Sequence, residues 1–254
     1  MFKLTPLTAA ILVIISAQAL ADDSVSTQNQ VGTTNIADVT QRVAPFSTAA
    51  QQQLGQGNDA AALQDNATSS IDQTQLGDYN AGYAEQLYEN GSTITQQQVG
   101  SFNISHASQS IGSTANEVLQ QQQGSGNFSF VYQDTQEGTS GKTFQFGDNN
   151  EANIEQIQYG IANNALIIQY GSTNDATAEQ ISHMNGQLGI NQYGEGNYAY
   201  GDQRNGTGGN LSINQSGDAN GTEIWQDTQI GAKATVSQYG QTNETVVDQS
   251  FGEN

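Results

Sequence analysis

The 254-residue chain carries 25 acidic residues against five basic ones, a formal charge of −20 and no cysteine. That balance argues against nucleic acid and anionic membranes as electrostatic partners, and the lack of thiols excludes a disulfide framework and Cys-based zinc or redox sites. Apolar residues make up 35%, below the usual globular share, and a polar Gln/Asn/Gly/Ser-rich chain stays disordered unless a repeat gives it a way to order.

Residues 1–21 read as a secretory signal. Lys3 supplies the positive charge, Leu7 to Ile15 is mainly apolar with an unbroken stretch at residues 11–15, and Ala19-Leu20-Ala21 is a small-x-small cleavage site ahead of Asp22-Asp23. Thr8, Ser16 and Gln18 interrupt the run, which is short for a membrane span. Residues 22–254 form one repeat domain in which no segment is apolar enough to cross a membrane as a helix.

The motif Gln-x-Gly-x-x-Asn begins at Gln30, Gln53, Gln75, Gln98, Gln122, Gln145, Gln169, Gln192, Gln215 and Gln238, at spacings of 22 to 24 residues. Eleven residues after each comes a second glutamine, at Gln41, Gln64, Gln86, Gln109, Gln133, Gln156, Gln180, Gln203, Gln226 and Gln249. Each repeat is therefore two similar halves, and a fixed period of this size marks a solenoid. One extra match, at Gln158, predicts a strand two residues longer in the sixth repeat, with Gln156 and Gln158 on one face.

Both halves alternate with period 2, which predicts strands. Ser92, Ile94, Gln96 and Gln98 share one face before the turn; Asn220, Thr222, Ile224 and Gln226 share one after it. The intervening positions carry most of the charge, as at Glu85, Glu155, Glu179, Asp202 and Asp248. Gly32, Gly55, Gly77, Gly100, Gly147, Gly171, Gly194, Gly217 and Gly240 supply the left-handed backbone a tight reversal needs. Asn35, Asn58, Asn80, Asn103 and their equivalents through Asn220 and Asn243 close the turn.

No such unit can bury its uncharged face alone. Stacking gives an all-β β-solenoid of ten strand–turn–strand repeats in two face-to-face parallel sheets, roughly 45–50 Å long at the usual ladder spacing. Identical Gln and Asn amides then lie above one another and satisfy each other along the axis.

With these features the chain resembles the curlin family, whose motif is Ser-x5-Gln-x-Gly-x-x-Asn-x-Ala-x3-Gln. Ser24, Ser47, Ser69 and Ser92 fill the serine position, and Ala37, Ala60, Ala152, Ala176 and Ala199 the alanine position. From the fifth repeat the serine gives way to Asn116, Thr139, Asn163, Gly186, Gly209 and Ala232. The resemblance implies an extracellular functional-amyloid subunit, similar to the major fibre subunit rather than the more basic minor nucleator. It implies export through the periplasm, with chaperones and an outer-membrane secretion channel as partners, nucleation at the cell surface by a minor subunit, and a part in biofilm matrix and adhesion. The terminal strands are expected to be uncapped and to add chains by templated strand pairing. A rival reading is a monomeric β-solenoid adhesin or ligand-binding protein.

Nothing in the pattern points to catalysis, a cofactor or a metal site. His106 and His183 are expected as exposed polar side chains. Phe128, Phe130 and Tyr132 share the outward parity of one strand, for packing or for a ligand. Stacking also predicts an acidic column, Glu155–Glu179–Asp202, with Glu151 and Asp175 beside it. It acts either as a brake on assembly, relieved by acid or divalent cations, or as a solvated face.

Overall fold

The computed structural model describes residues 23–112 and 114–250; the expected signal segment lies outside them. Ten rungs follow one another. The first five are β1 (Val25–Thr33) with β2 (Ile36–Arg42), β3 (Thr48–Gln56) with β4 (Asp59–Asp65), β5 (Thr68–Asp78) with β6 (Ala81–Leu87), β7 (Asn90–Ser101) with β8 (Ile104–Ser110), and β9 (Glu117–Ser125) with β10 (Phe128–Asp134). The rest are β11 (Ser140–Asp148) with β12 (Glu151–Ile157), β13 (Asn164–Ser172) with β14 (Asp175–Ile181), β15 (Gln187–Glu195) with β16 (Tyr198–Arg204), β17 (Asn210–Ser216) with β18 (Gly221–Asp227), and β19 (Lys233–Tyr239) with β20 (Glu244–Gln249). All odd-numbered strands form one ten-stranded parallel sheet and all even-numbered strands the other, as the repeat predicts.

Register is set by the motif. Gln30, Gln53, Gln75 and Gln98 stand above one another, as do Gln41, Gln64, Gln86 and Gln109. The eleven-residue step from the first glutamine to the second never varies, so the 22-to-24-residue spread of the repeats falls in the second reversal. A length change inside a strand would slip the ladder and turn its inward side chains outward.

That rule corrects the reading of the sixth repeat. β12 ends at Ile157, with Gln156 paired to Gln133 and Gln180. Gln158 is an exposed residue of the second reversal at φ 66°, in the position held by Ser182 and Asn205 (both φ 51°) on the next two rungs. Strands of seven residues lie on both sides of β12 in the sheet, so a longer one would have no ladder partner.

The core between the sheets is only two side chains deep. Size is exchanged across the gap: Gly201 on the even sheet lies against Leu188 and Leu211 on the odd one, and Gly141 on the odd sheet against Val131 and Ile154 on the even one. Two residues before each first glutamine the odd sheet changes character along the axis. Gln51, Gln73, Gln96 and Gln120 are buried in the first half; Thr143, Ile167, Ile190, Ile213 and Val236 follow.

Candidate functional site

The features that could act are the amide ladders and the sheet edges where they end. Along the first ladder each Gln Nε2 donates to Oε1 of the glutamine one rung on, from Gln30→Gln53 at 2.8 Å through Gln122→Gln145 at 2.9 Å to Gln215→Gln238 at 2.9 Å. The second ladder runs likewise from Gln41→Gln64 at 2.8 Å to Gln226→Gln249 at 2.8 Å. The second amide hydrogen is also used: Gln53, Gln75 and Gln98 Nε2 donate to the Ile36, Asp59 and Ala81 carbonyls of the even sheet at 2.7 to 2.9 Å. A ladder glutamine thus joins neighbouring rungs and ties the two sheets together.

The asparagines run the other way. Asn58 Nδ2 donates back to Asn35 Oδ1 at 3.2 Å, Asn80 to Asn58 at 3.1 Å, and Asn243 to Asn220 at 2.8 Å. Each of Asn58, Asn80 and Asn220 also donates forward to a turn-glycine carbonyl, as Asn58 does to Gly77 at 2.7 Å. Those glycines are required twice over. Their φ lies between +108° and +129°, and a Cβ on Gly32 would sit 1.8 Å from the Gly55 carbonyl oxygen. Gly124 (φ 128°), the glycine of the match at Gln122, takes the same conformation. The reversal takes a second left-handed residue two positions later, where Tyr79 and Phe102 stand as readily as Gly57.

Two sets of residues went unread. A third amide ladder, Gln28→Gln51→Gln73→Gln96→Gln120, spans the first five rungs at 2.8 to 3.0 Å and ends where Gln120 donates to Ser129 Oγ at 2.8 Å. The run of glutamines two residues upstream of the motif was the signal for it. The serine position explains its own substitutions. Ser47, Ser69 and Ser92 Oγ accept the backbone N–H one rung on, and Asn116 and Asn163 Oδ1 accept the N–H of Thr139 and Gly186 in the same way. What these rungs share at the position is a side-chain oxygen.

Each sheet has an unpaired edge at both ends of the described chain: β1 and β2 at one, β19 and β20 at the other. The ladder direction makes these ends complementary. Gln30 and Gln41 present Oε1 with no preceding rung to donate to it. Gln238 and Gln249 hold Nε2 with no following rung to accept from it.

On the outer face of the even sheet Glu155, Glu179 and Asp202 stand on successive rungs, with Glu151 and Asp175 in register beside them. The column is not bare. Arg204 lies between two of its members, its Nη2 donating to Glu179 Oε2 at 2.9 Å and its Nε 2.6 Å from Asp202 Oδ2. Asp202 is 2% exposed, covered by its outward neighbours, and this burial raises its carboxyl above the usual range against the pull of Arg204. Burial, then Glu151, also raises Asp175. The Tyr200 hydroxyl is pushed up strongly by burial and by Asp202 and Glu179.

The histidines part company. His106 is half-buried on the even face, edge-on to Phe130 at 5.3 Å, and Phe130 stacks on Tyr132. His183, expected outside, is 3% exposed. It points inward in the second reversal, over the space left by Gly186 and Gly206, where a Cβ would meet its ring at 2.5 to 2.8 Å. Burial lowers its pKa.

Residues 147–181 match the curlin associated repeat. The match begins at turn glycine Gly147 and ends with β14, so it holds the seventh repeat's Gln-x-Gly-x-x-Asn unit, Gln169 to Asn174, the extra match from Gln158 to Asn163, and the second glutamines Gln156 and Gln180. It supports the curlin family for this chain. No curated protein and no solved structure matches. Among the described residues no helix is long and apolar enough to cross a membrane.

Proposed function

We propose that the chain is a secreted structural subunit of curli type, which polymerises end to end into extracellular fibres. The observation that carries this reading is the pair of open, complementary ends. The last rung offers two strand edges and the Nε2 groups of Gln238 and Gln249, the former donating to Thr245 Oγ1 of its own rung at 3.0 Å where inner ladder glutamines also donate to the next rung; the first rung offers two strand edges and the Oε1 atoms of Gln30 and Gln41. Docking one chain on another continues both sheets and both glutamine ladders without a new kind of contact, which is the physics of templated strand addition. The polar composition fits a chain that stays unfolded until a template supplies the first rung, since a single rung buries too little to order itself. Residues 1–21 would direct export, with periplasmic chaperones, an outer-membrane channel and a minor nucleator as partners. Biofilm matrix and adhesion are the roles such a fibre would serve.

The test is a time course of thioflavin fluorescence on purified residues 22–254, with and without sonicated fibres. A lag that seeds abolish, with loss of disorder by circular dichroism, is expected. A protein that stays monomeric and folded for days at high concentration overturns the reading in favour of a monomeric adhesin.

A further inference from the structure

The two outer faces of the solenoid differ in a way that strand alternation does not reveal. Outward positions of the even sheet carry fourteen carboxylates and two arginines, a balance of −12. Outward positions of the odd sheet, up to the turn glycines, carry Asp72, Glu117, Lys142 and Lys233, a balance of zero, and Lys142 Nζ lies 2.8 Å from Glu117 Oε2. The rest of that face is amide, hydroxyl, aliphatic and aromatic. Phe146, Tyr170 and Tyr193 stack face to face up three rungs, with centroids 4.7 and 5.1 Å apart. Tyr170 and Tyr193 remain 42% and 47% exposed, and Leu54 and Val99 continue the same column at 48% and 40%. Gly189 opens a 260 Å³ depression in this face between Leu166 and Ser212.

We propose that the outer face of the odd sheet is an interface with a second copy of this chain, pairing two solenoids face to face about a two-fold axis. Charge selects the face. Even against even would set −12 against −12; even against odd would take unpaired carboxylates out of water; odd against odd does neither. The area suffices. Ten strands at the usual spacing span ~45 Å, and four outward residues per strand cover ~20 Å, so each copy offers roughly 900 Å² against about 800 Å² per partner in a standard interface. Shape agrees: identical ladders repeat at the same interval on both copies, and the Gly189 depression can receive a side chain from the facing copy. The proposal goes beyond fibre formation and needs only the folded solenoid.

The experiment counts chains per ten rungs. For fibres this comes from mass per length by scanning transmission electron microscopy; for a chain that folds without polymerising it comes from sedimentation mass. Wild type is expected to give two chains per ten rungs. The triple variant Gln97→Glu/Gln123→Glu/Tyr193→Glu, on exposed odd-face positions, is expected to give one, with seeded growth and circular dichroism unchanged. Ile36→Glu/Ala81→Glu/Val246→Glu on the even face is expected to keep two. Non-elongating dimers would sink the fibre reading and uphold the pairing. Wild-type fibres with one chain per ten rungs, including fibres that pair only after an uncharged glucan is added, would overturn the pairing and leave the fibre reading intact. An odd-face triple that keeps two chains also overturns it.

Discussion

Gly124→Ala tests whether stacking, and not backbone conformation alone, imposes glycine on the first reversal. The added Cβ would lie 1.9 Å from the Gly147 carbonyl oxygen and 2.7 Å from its carbon, where ordinary contact begins at 3.4 Å. The fifth and sixth rungs must therefore separate by more than an ångström at the arc. That breaks the bonds from Asn127 Nδ2 to the Gly147 carbonyl at 2.7 Å and from Asn150 Nδ2 to Asn127 Oδ1 at 3.1 Å. Two buried polar pairs left open cost about 1–3 kcal/mol each, and a left-handed alanine adds about 1–2 kcal/mol, for a total of about 3–8 kcal/mol. Gly138→Ala is the control. Gly138 has φ +61° but nothing within 4 Å of its Cβ position, so only the conformational cost of about 1–2 kcal/mol applies. The guanidinium concentration that dissolves the assembled protein, with hydrogen exchange at residues 124–127, measures both. Equal losses at the two sites would refute the stacking argument.

Leucine at Gln238 and Gln249 is expected to slow seeded elongation more than leucine at Gln122 and Gln133, because the terminal amides also serve the rung supplied by the incoming chain; both pairs of changes are expected to lower denaturant resistance, since Gln215 and Gln226 lose their acceptors at the end as Gln98 and Gln109 do at the centre, by about 1–3 kcal/mol per orphaned partner. Equal effects on elongation from ends and centre would count against special ends. For His183, burial places the folded pKa below the unfolded value of 6.5, so its stability contribution is complete above that pH and is lost as pH falls below it. His183→Gln copies the residue that Gln136 already places at the equivalent inward position. The variant is expected to lose less stability than wild type between pH 6.5 and 5, and parallel curves would refute the assignment. Asp175 and Asp202 act in the opposite sense, because their raised folded values make stability grow as pH falls. Arg204→Gln removes the only cation within the Glu155–Glu179–Asp202 column among the described residues and is expected to lengthen the assembly lag. Added calcium should then shorten it more than in wild type, and an unchanged lag would mean that the column has no kinetic role.

Periodicity alone determined the architecture. A Gln-x-Gly-x-x-Asn recurring at 22 to 24 residues, with a second glutamine always eleven on, leaves one arrangement in which identical amides satisfy each other and every turn glycine meets another. Four things came only from the tertiary structure. Gln158 matched the motif but fell in the reversal, because strand ends are fixed by the neighbouring rungs, which a repeat read by itself does not contain. His183 lies inside because Gly186 and Gly206 vacate the volume its ring fills, a compensation between residues on different rungs. The acidic column was legible as a row of like charges. That Arg204 bridges it, and that Asp202 is sealed beneath its neighbours, depends on side chains two positions away on the same and adjacent strands. The difference between the two outer faces was hidden for a related reason. Alternation separates inward from outward residues within one strand, but only the sorting of odd and even strands into separate sheets gathers the carboxylates on one side of the molecule.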